Sequence, residues 1–292
     1  MKVNPVLRNE SKLAVRSIKF NLMIFFYILI LSIGTILFYK AFIGEIYANG
    51  TNPQYAVTLY IVMAIIQALL LMFIVPSLTS TAICSEREKQ TLDILLSTRL
   101  SPLQIVLGKL FSSSLRVIIL IICTIPIYSI CGLIGGVKIS NILILALSFI
   151  VNTIFVGSIG ILVSTYVKTS RAATALAYSI VLFIFAGIII IALIIFMLKA
   201  NKGVYTNSNQ VQIPYIVYLS PVTGFFALLN KQVGLGDISY VFGQFKLLAN
   251  ADYISIIIQG TLSVLCVVLA SRKLNPLNNK KYKKVKIKKV KE

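Results

Sequence analysis

The sequence predicts an all-α integral membrane protein of six transmembrane helices, and three observations predict it. Of 292 residues, 58% are hydrophobic and only 12% charged, with a mean hydropathy of +0.92, whereas a soluble domain carries about 25% charged residues. Six segments reach the ~20 predominantly apolar residues that a helix needs to cross the hydrocarbon. Basic residues crowd both termini, which requires an even number of crossings if both are retained on the cytoplasmic side.

In chain order the spans are expected at Ile18 to Phe42, Ala56 to Ile83, Ile105 to Gly135, Asn141 to Val167, Ala173 to Leu198 and Tyr253 to Ala270. The first is too long, and too far from a small-residue cleavage site, to be a removable signal core. Before it come Lys2, Arg8, Lys12, Arg16 and Lys19; after the last come Arg272, Lys273 and the lysine-rich run from Lys280 to Lys291. Lys and Arg beside short loops stay inside, so residues 85–104 and the Lys168 to Arg171 turn are expected in the cytoplasm. The stretch from Lys199 to Asp252 falls outside. Its apolar piece from Pro214 to Asn230 would break the parity if it crossed once. It is therefore expected as a re-entrant or interfacial element buried against the other helices.

The segment from Ser85 to Leu110, SEREKQTLDILLSTRLSPLQIVLGKL, has helix grammar. Ser85 suits an N-cap, Glu86 and Glu88 suit the first turn, and Leu92, Leu95 and Leu96 recur on one face before the break at Ser101-Pro102. This describes a short amphipathic helix on the cytoplasmic surface. On spacing alone, a polar connector with a solvated charge run is the better account.

The same string, from Glu86 to Leu110, closely resembles the coupling-helix region of permease subunits of ATP-binding-cassette (ABC) transporters in the type-2 export family. Asn4 to Phe20, NPVLRNESKLAVRSIKF, is similar to the amphipathic elbow helix of that family. Six spans, a long outer loop with re-entrant helices and a cytoplasmic C-terminus extend the resemblance over nearly the whole chain. It implies an elbow helix at 1–17, a permease domain at 18–270 with its coupling loop at 85–104 and outer loop at 199–252, and a basic cytoplasmic tail at 271–292. It further implies that Glu86, Arg87, Glu88, Lys89, Gln90, Thr91, Leu92 and Leu95 dock a separate ATPase subunit carrying ATP and Mg. Leu92, Leu95 and Leu96 would pack either into the bundle base or into a groove of the ATPase. A second permease subunit, identical or related, is implied as well.

The remaining residues narrow the function classes. There is no GxxxxGK[ST] loop, so this chain is not expected to hydrolyse ATP by the P-loop route. No charged residue is expected mid-span, since Lys109 and Arg116 lie near the inner end of the third span and Asp252 near the outer end of the sixth; proton- or sodium-coupled carriers usually place one there. Without any His, and with Cys84, Cys123, Cys131 and Cys266 showing no CxxC spacing, neither an enzyme site nor a metal site is indicated. Gln67, Asn152, Gln259, Ser158 and Ser164 lie within spans, where such groups bond neighbouring helices more often than substrates. Pro76 and Pro126 are expected to kink their helices. Gly132, Gly135, Gly157 and Gly160 are expected at close packing contacts.

The net charge of +20 points to anionic lipid at the inner leaflet, worth about 1 kcal/mol per basic residue, rather than to nucleic acid. The expected role is the permease subunit of an ATP-driven exporter in the plasma membrane, its abundant Ile, Lys and Asn suggesting a bacterial source. The alternative is a non-transporting scaffold that recruits a cytoplasmic partner through residues 86–100. No residue selects the substrate.

Overall fold

A computed structural model describes residues 17–49, 53–97, 101–134, 136–191, 193–194, 211–212, 215–233, 245–246 and 250–275. In chain order the helices are α1 (Ile18–Asn49), α2 (Pro53–Thr79), α3 (Cys84–Glu88), α4 (Leu92–Ser97), α5 (Pro102–Ile134), α6 (Ile139–Tyr166), α7 (Ser170–Leu182), α8 (Pro221–Val233) and α9 (Ala251–Leu274). A π-helical turn, Phe183–Gly187, carries α7 on to Ile191. A 3-10 turn, Tyr215–Leu219, leads into α8. Residues 1–16 of the predicted elbow helix and residues 276–292 of the basic tail lie outside the described residues.

Six helices, α1, α2, α5, α6, α7 and α9, are long and apolar enough to cross a bilayer. Their backbone polar groups are satisfied within each helix, as hydrocarbon demands. Small and hydroxyl-bearing side chains concentrate on the inward face of α6, among larger apolar ones such as Phe149, Phe155 and Ile161. α6 buries Thr153, Gly157, Ser158, Gly160, Ser164 and Thr165, while Leu143, Ile144 and Leu147 on the same helix are exposed. Lipid solvates leucine as well as a protein core does, so the small residues are the ones that single out the close contacts of this face. In its most apolar stretch α6 is 50% buried against 11% for α1, so α6 is the axis of the bundle and α1 its periphery. α9, α5 and α2 all pack on it.

Gly157 and Gly160 sit at this crossing as predicted: a methyl on Gly160 would stand 2.0 Å from Thr79 Oγ1, and one on Gly157 3.2 Å from Leu110 Cδ1. Pro76 and Pro126 lie inside continuous helices. α2 ends at Thr79, before the expected Ile83, because residues 80–83 turn toward α6, where Ile83 and Cys84 both donate their N–H to Ser164 Oγ. α9 runs past Ala270 to Leu274, placing Arg272 and Lys273 in its last turn, where cations suit the helix dipole.

Thirteen residues of α helix span roughly 20 Å, less than the ~30 Å of hydrocarbon, so α8 cannot cross alone. It lies against α9 and α6 instead. Gly224 allows this approach, since a Cβ there would stand 2.4 Å from Ser255 Oγ. At the C-terminal end of α8, Tyr60 donates its hydroxyl to Gln232 Oε1 at 2.7 Å, and Gln232 Nε2 donates to the carbonyl of Asn141 at 3.1 Å. One side chain thus joins α2, α6 and α8 at the end of the bundle far from α3. Val211 and Gln212 pair in parallel with Phe245 and Lys246.

Candidate functional site

The polar connector between α2 and α5 is not the single amphipathic helix that its helix grammar describes. It is two short helices, α3 and α4, joined by a turn at Lys89 and Gln90. Gln90 takes a φ of 57°, the left-handed conformation that lets a chain reverse after a helix. For a residue with a Cβ this costs about 1 kcal/mol. The reversal is held by Glu86, whose carbonyl accepts the N–H of Thr91 at 2.9 Å and whose carboxylate accepts the Thr91 hydroxyl. Ile83, not Ser85, occupies the N-cap position of α3, and no side chain caps it. The N–H groups of Ile83 and Cys84 go to Ser164 instead, so capping is supplied from α6.

Three consecutive residues fasten this connector to three different helices. Glu86 Oε1 accepts from Lys109 Nζ on α5 at 2.8 Å, with the lysine side chain only 8% exposed. Arg87 spreads its guanidinium over the end of α6, donating from Nη1 to the carbonyl of Val167 at 2.7 Å and from Nη2 to that of Thr165 at 3.1 Å. Glu88 accepts from both the N–H and the hydroxyl of Ser170, at 2.7 and 2.6 Å, at the start of α7. Thr169, the N-cap of α7, makes no side-chain cap, so Glu88 fills that role across the fold. The arrangement is electrostatically matched, because a cation sits at a helix C-terminus, where carbonyls are left over, and an anion at the next helix N-terminus, where N–H groups are left over.

Leu92, Leu95 and Leu96 pack beneath the connector against Ile83, Ile105, Val106, Leu110 and Ile161. They belong to the bundle base. Of the eight residues predicted to face a partner, Glu88, Lys89 and Gln90 are exposed, and they form the tip of the connector. Glu86, Arg87, Thr91, Leu92 and Leu95 are half-buried and engaged within the chain. Lys168, Thr169 and Arg171 are exposed beside the tip, next to Ser170. Sequence reasoning placed the Lys168 to Arg171 turn on this side of the membrane but assigned it no role. The available signal was the pairing of opposite charges with the ends of consecutive helices.

Residues 5–271 match the family model described as ABC-2 family transporter protein. The chain belongs to the ABC-2 family. No curated protein matches it in sequence. The ABC-2 match covers five of the six long helices whole and α9 as far as Ser271, so the chain is a multi-pass membrane component of a transporter. In this ABC-2 chain the planar fork of Arg87 is what two carbonyls require, and an ammonium reaches them less well. Arg87→Lys is expected to lower stability by about 1–2 kcal/mol, and to raise deuterium exchange at residues 165–170 while leaving the far end of α6 unchanged.

Proposed function

We propose that this chain is the membrane subunit of an ATP-driven exporter, moved by a separate ATPase subunit that binds ATP and Mg and docks on the exposed tip at Glu88, Lys89 and Gln90. The observation that carries the proposal is the tip's anchorage: a solvent-facing turn whose neighbours are bonded to α5, α6 and α7. A force applied at the tip is delivered to three spans together, which is what a subunit driven from outside the membrane requires. Around it Lys89, Lys168 and Arg171 make the surface basic, suited to an acidic groove on the partner.

On this reading the tip and both termini face the cytoplasm, as the basic termini and the even number of spans favour. The helix α8, too short to cross, is then a re-entrant element entering from the outer side. The basic run from Lys280 to Lys291 holds anionic lipid, and a second permease subunit completes the translocation path. The direction is export by the resemblance of the Glu86 to Leu110 string, and the transported substrate is left unassigned.

The test is co-purification of the tagged chain with a candidate ATPase. Lys89→Glu combined with Lys168→Glu is expected to release the ATPase while leaving thermal stability and membrane insertion at wild-type values, because both side chains are exposed. Reversing Glu86 is the wrong probe, since it would confront the buried Lys109 and damage the fold first. Retention of the ATPase by the double variant would remove the tip from the interface. Loss of substrate transport in vesicles together with loss of the ATPase separates a transporter from a scaffold that only recruits.

A further inference from the structure

Between α6, α8 and α9, in the half of the bundle remote from the connector, lies a cleft of about 30 Å³. Phe149 and Phe225 form part of its wall, their ring centroids 5.7 Å apart. Against this apolar wall stand Asn152, Asp252, Ser255 and Gln259. Asp252 is 7%, Ser255 1% and Gln259 6% exposed. Such groups are costly inside a bundle unless they are bonded. Gln259 Nε2 donates to Ser255 Oγ at 3.1 Å. The buried Oδ1 of Asn152 has no hydrogen-bond partner among the described residues. A carboxylate and an orphaned amide oxygen leave the cleft rich in acceptors. Among the described residues, no N–H or O–H lining the cleft is bonded to either of these two acceptors.

The chain itself shows which donor suits Asp252. From α8, Lys231 donates its ammonium to Asp252 Oδ2 at 3.1 Å and rests 4.5 Å from the centre of the Tyr253 ring. The hydrogen bond to Asp252 holds this lysine protonated above its ordinary range. Yet the Lys231 side chain is 53% exposed while that of Asp252 is 9% exposed, so the lysine can withdraw into solvent at little cost. A cleft this small and open on one side admits an ammonium head with a short alkyl part leading to the opening, not a drug-sized molecule. Aromatic faces beside a carboxylate further favour a cation with an attached alkyl group.

We propose that this cleft binds the primary ammonium group of an amphipathic ligand, with Asp252 and the Asn152 carbonyl as its acceptors, the alkyl part against Phe149 and Phe225, and Lys231 as a tethered competitor. The source is either an aminolipid headgroup or a soluble amine. The inference does not depend on the ATPase reading, since the cleft and the connector lie in opposite halves of the bundle.

The test uses the full chain in phosphatidylcholine nanodiscs, where no headgroup carries an N–H, titrated with n-butylammonium and, as the neutral control, n-butanol. The ammonium is expected to raise the thermal midpoint saturably and the alcohol is not. Lys231→Met, which removes the competitor, is expected to tighten half-saturation about tenfold. Asp252→Asn is expected to abolish the response. Asn152→Leu, which fills the cleft without touching the carboxylate, is expected to do the same and guards against a folding defect in Asp252→Asn. Added phosphatidylethanolamine is expected to suppress the butylammonium response if the natural ligand is a lipid, and to leave it intact if it is a soluble amine. A response equal in wild type, Asp252→Asn and Asn152→Leu, or no response even in Lys231→Met, overturns the proposal.

Discussion

Glu86→Gln is expected to be among the most damaging single substitutions in the chain, costing about 3–5 kcal/mol. The reason lies on the other side of the bond. Lys109 is 8% exposed and gives its ammonium to Glu86 Oε1 at 2.8 Å, so the neutral amide takes one negative charge away from a nearly buried cation. The same carboxylate accepts the Thr91 hydroxyl, which closes the reversal at Gln90. Losing it loosens the turn as well as the ion pair. The pair as a unit contributes far less than its rupture costs, because both charges were desolvated to form it. Lys109→Met combined with Glu86→Gln is therefore expected to recover most of the wild-type thermal midpoint. Lys109→Met alone is expected to fall between, since Glu86 at 29% exposure keeps access to water. The check is the midpoint of all four proteins in one detergent. A double variant no better than Glu86→Gln alone would show that the bond itself, not the charge on Lys109, carries the energy.

This ion pair marks where the sequence stopped being legible. The span count could be read because transfer of about 20 apolar residues into lipid is a local, additive property, and each of the six predicted segments overlaps a long helix. The leucine face of the connector could be read for the same reason, since Leu92, Leu95 and Leu96 do share one side and pack together. The charges at Glu86, Arg87 and Glu88 read as a solvated, partner-seeking run. Their partners, Lys109, Thr165, Val167 and Ser170, lie roughly 20 to 80 residues away in the chain, and no periodicity links them. The break at Gln90 was hidden too, because the left-handed conformation usually announces itself with glycine or asparagine. The helix α8 was legible only as a segment that should not cross. Its packing on α9 needs Gly224 to meet Ser255, a contact between distant residues.

The small residues of α6 are the opposite case, where a local pattern did predict a tertiary contact, and they support the second large effect. Gly160→Leu is expected to abolish the folded bundle, and Gly160→Ala to destabilise it by about 1–3 kcal/mol. A methyl at Gly160 would stand 2.0 Å from Thr79 Oγ1, 2.9 Å from Thr79 Cβ and 3.3 Å from the Ser80 nitrogen. Two of those atoms belong to a β-branched side chain whose hydroxyl already donates to the Val75 carbonyl at 2.9 Å, and the third is backbone. Neither can swing aside as the end of a long side chain would. α2 and α6 must then separate. That shift also pulls Ile83 and Cys84 from Ser164 one turn further along α6, so damage at the crossing is expected to reach the connector. Gly157→Ala is the internal comparison, because its methyl would meet Leu110 Cδ1 at 3.2 Å, a flexible group able to yield. Its cost is expected to stay below that of Gly160→Ala. Thr79→Ala should return part of the loss in the Gly160→Ala background by removing Oγ1 while keeping Cβ. Equal midpoints for the two alanine variants would mean that the bundle accommodates the methyl by sliding rather than by opening, and that close approach of α2 and α6 is not what holds the connector in place.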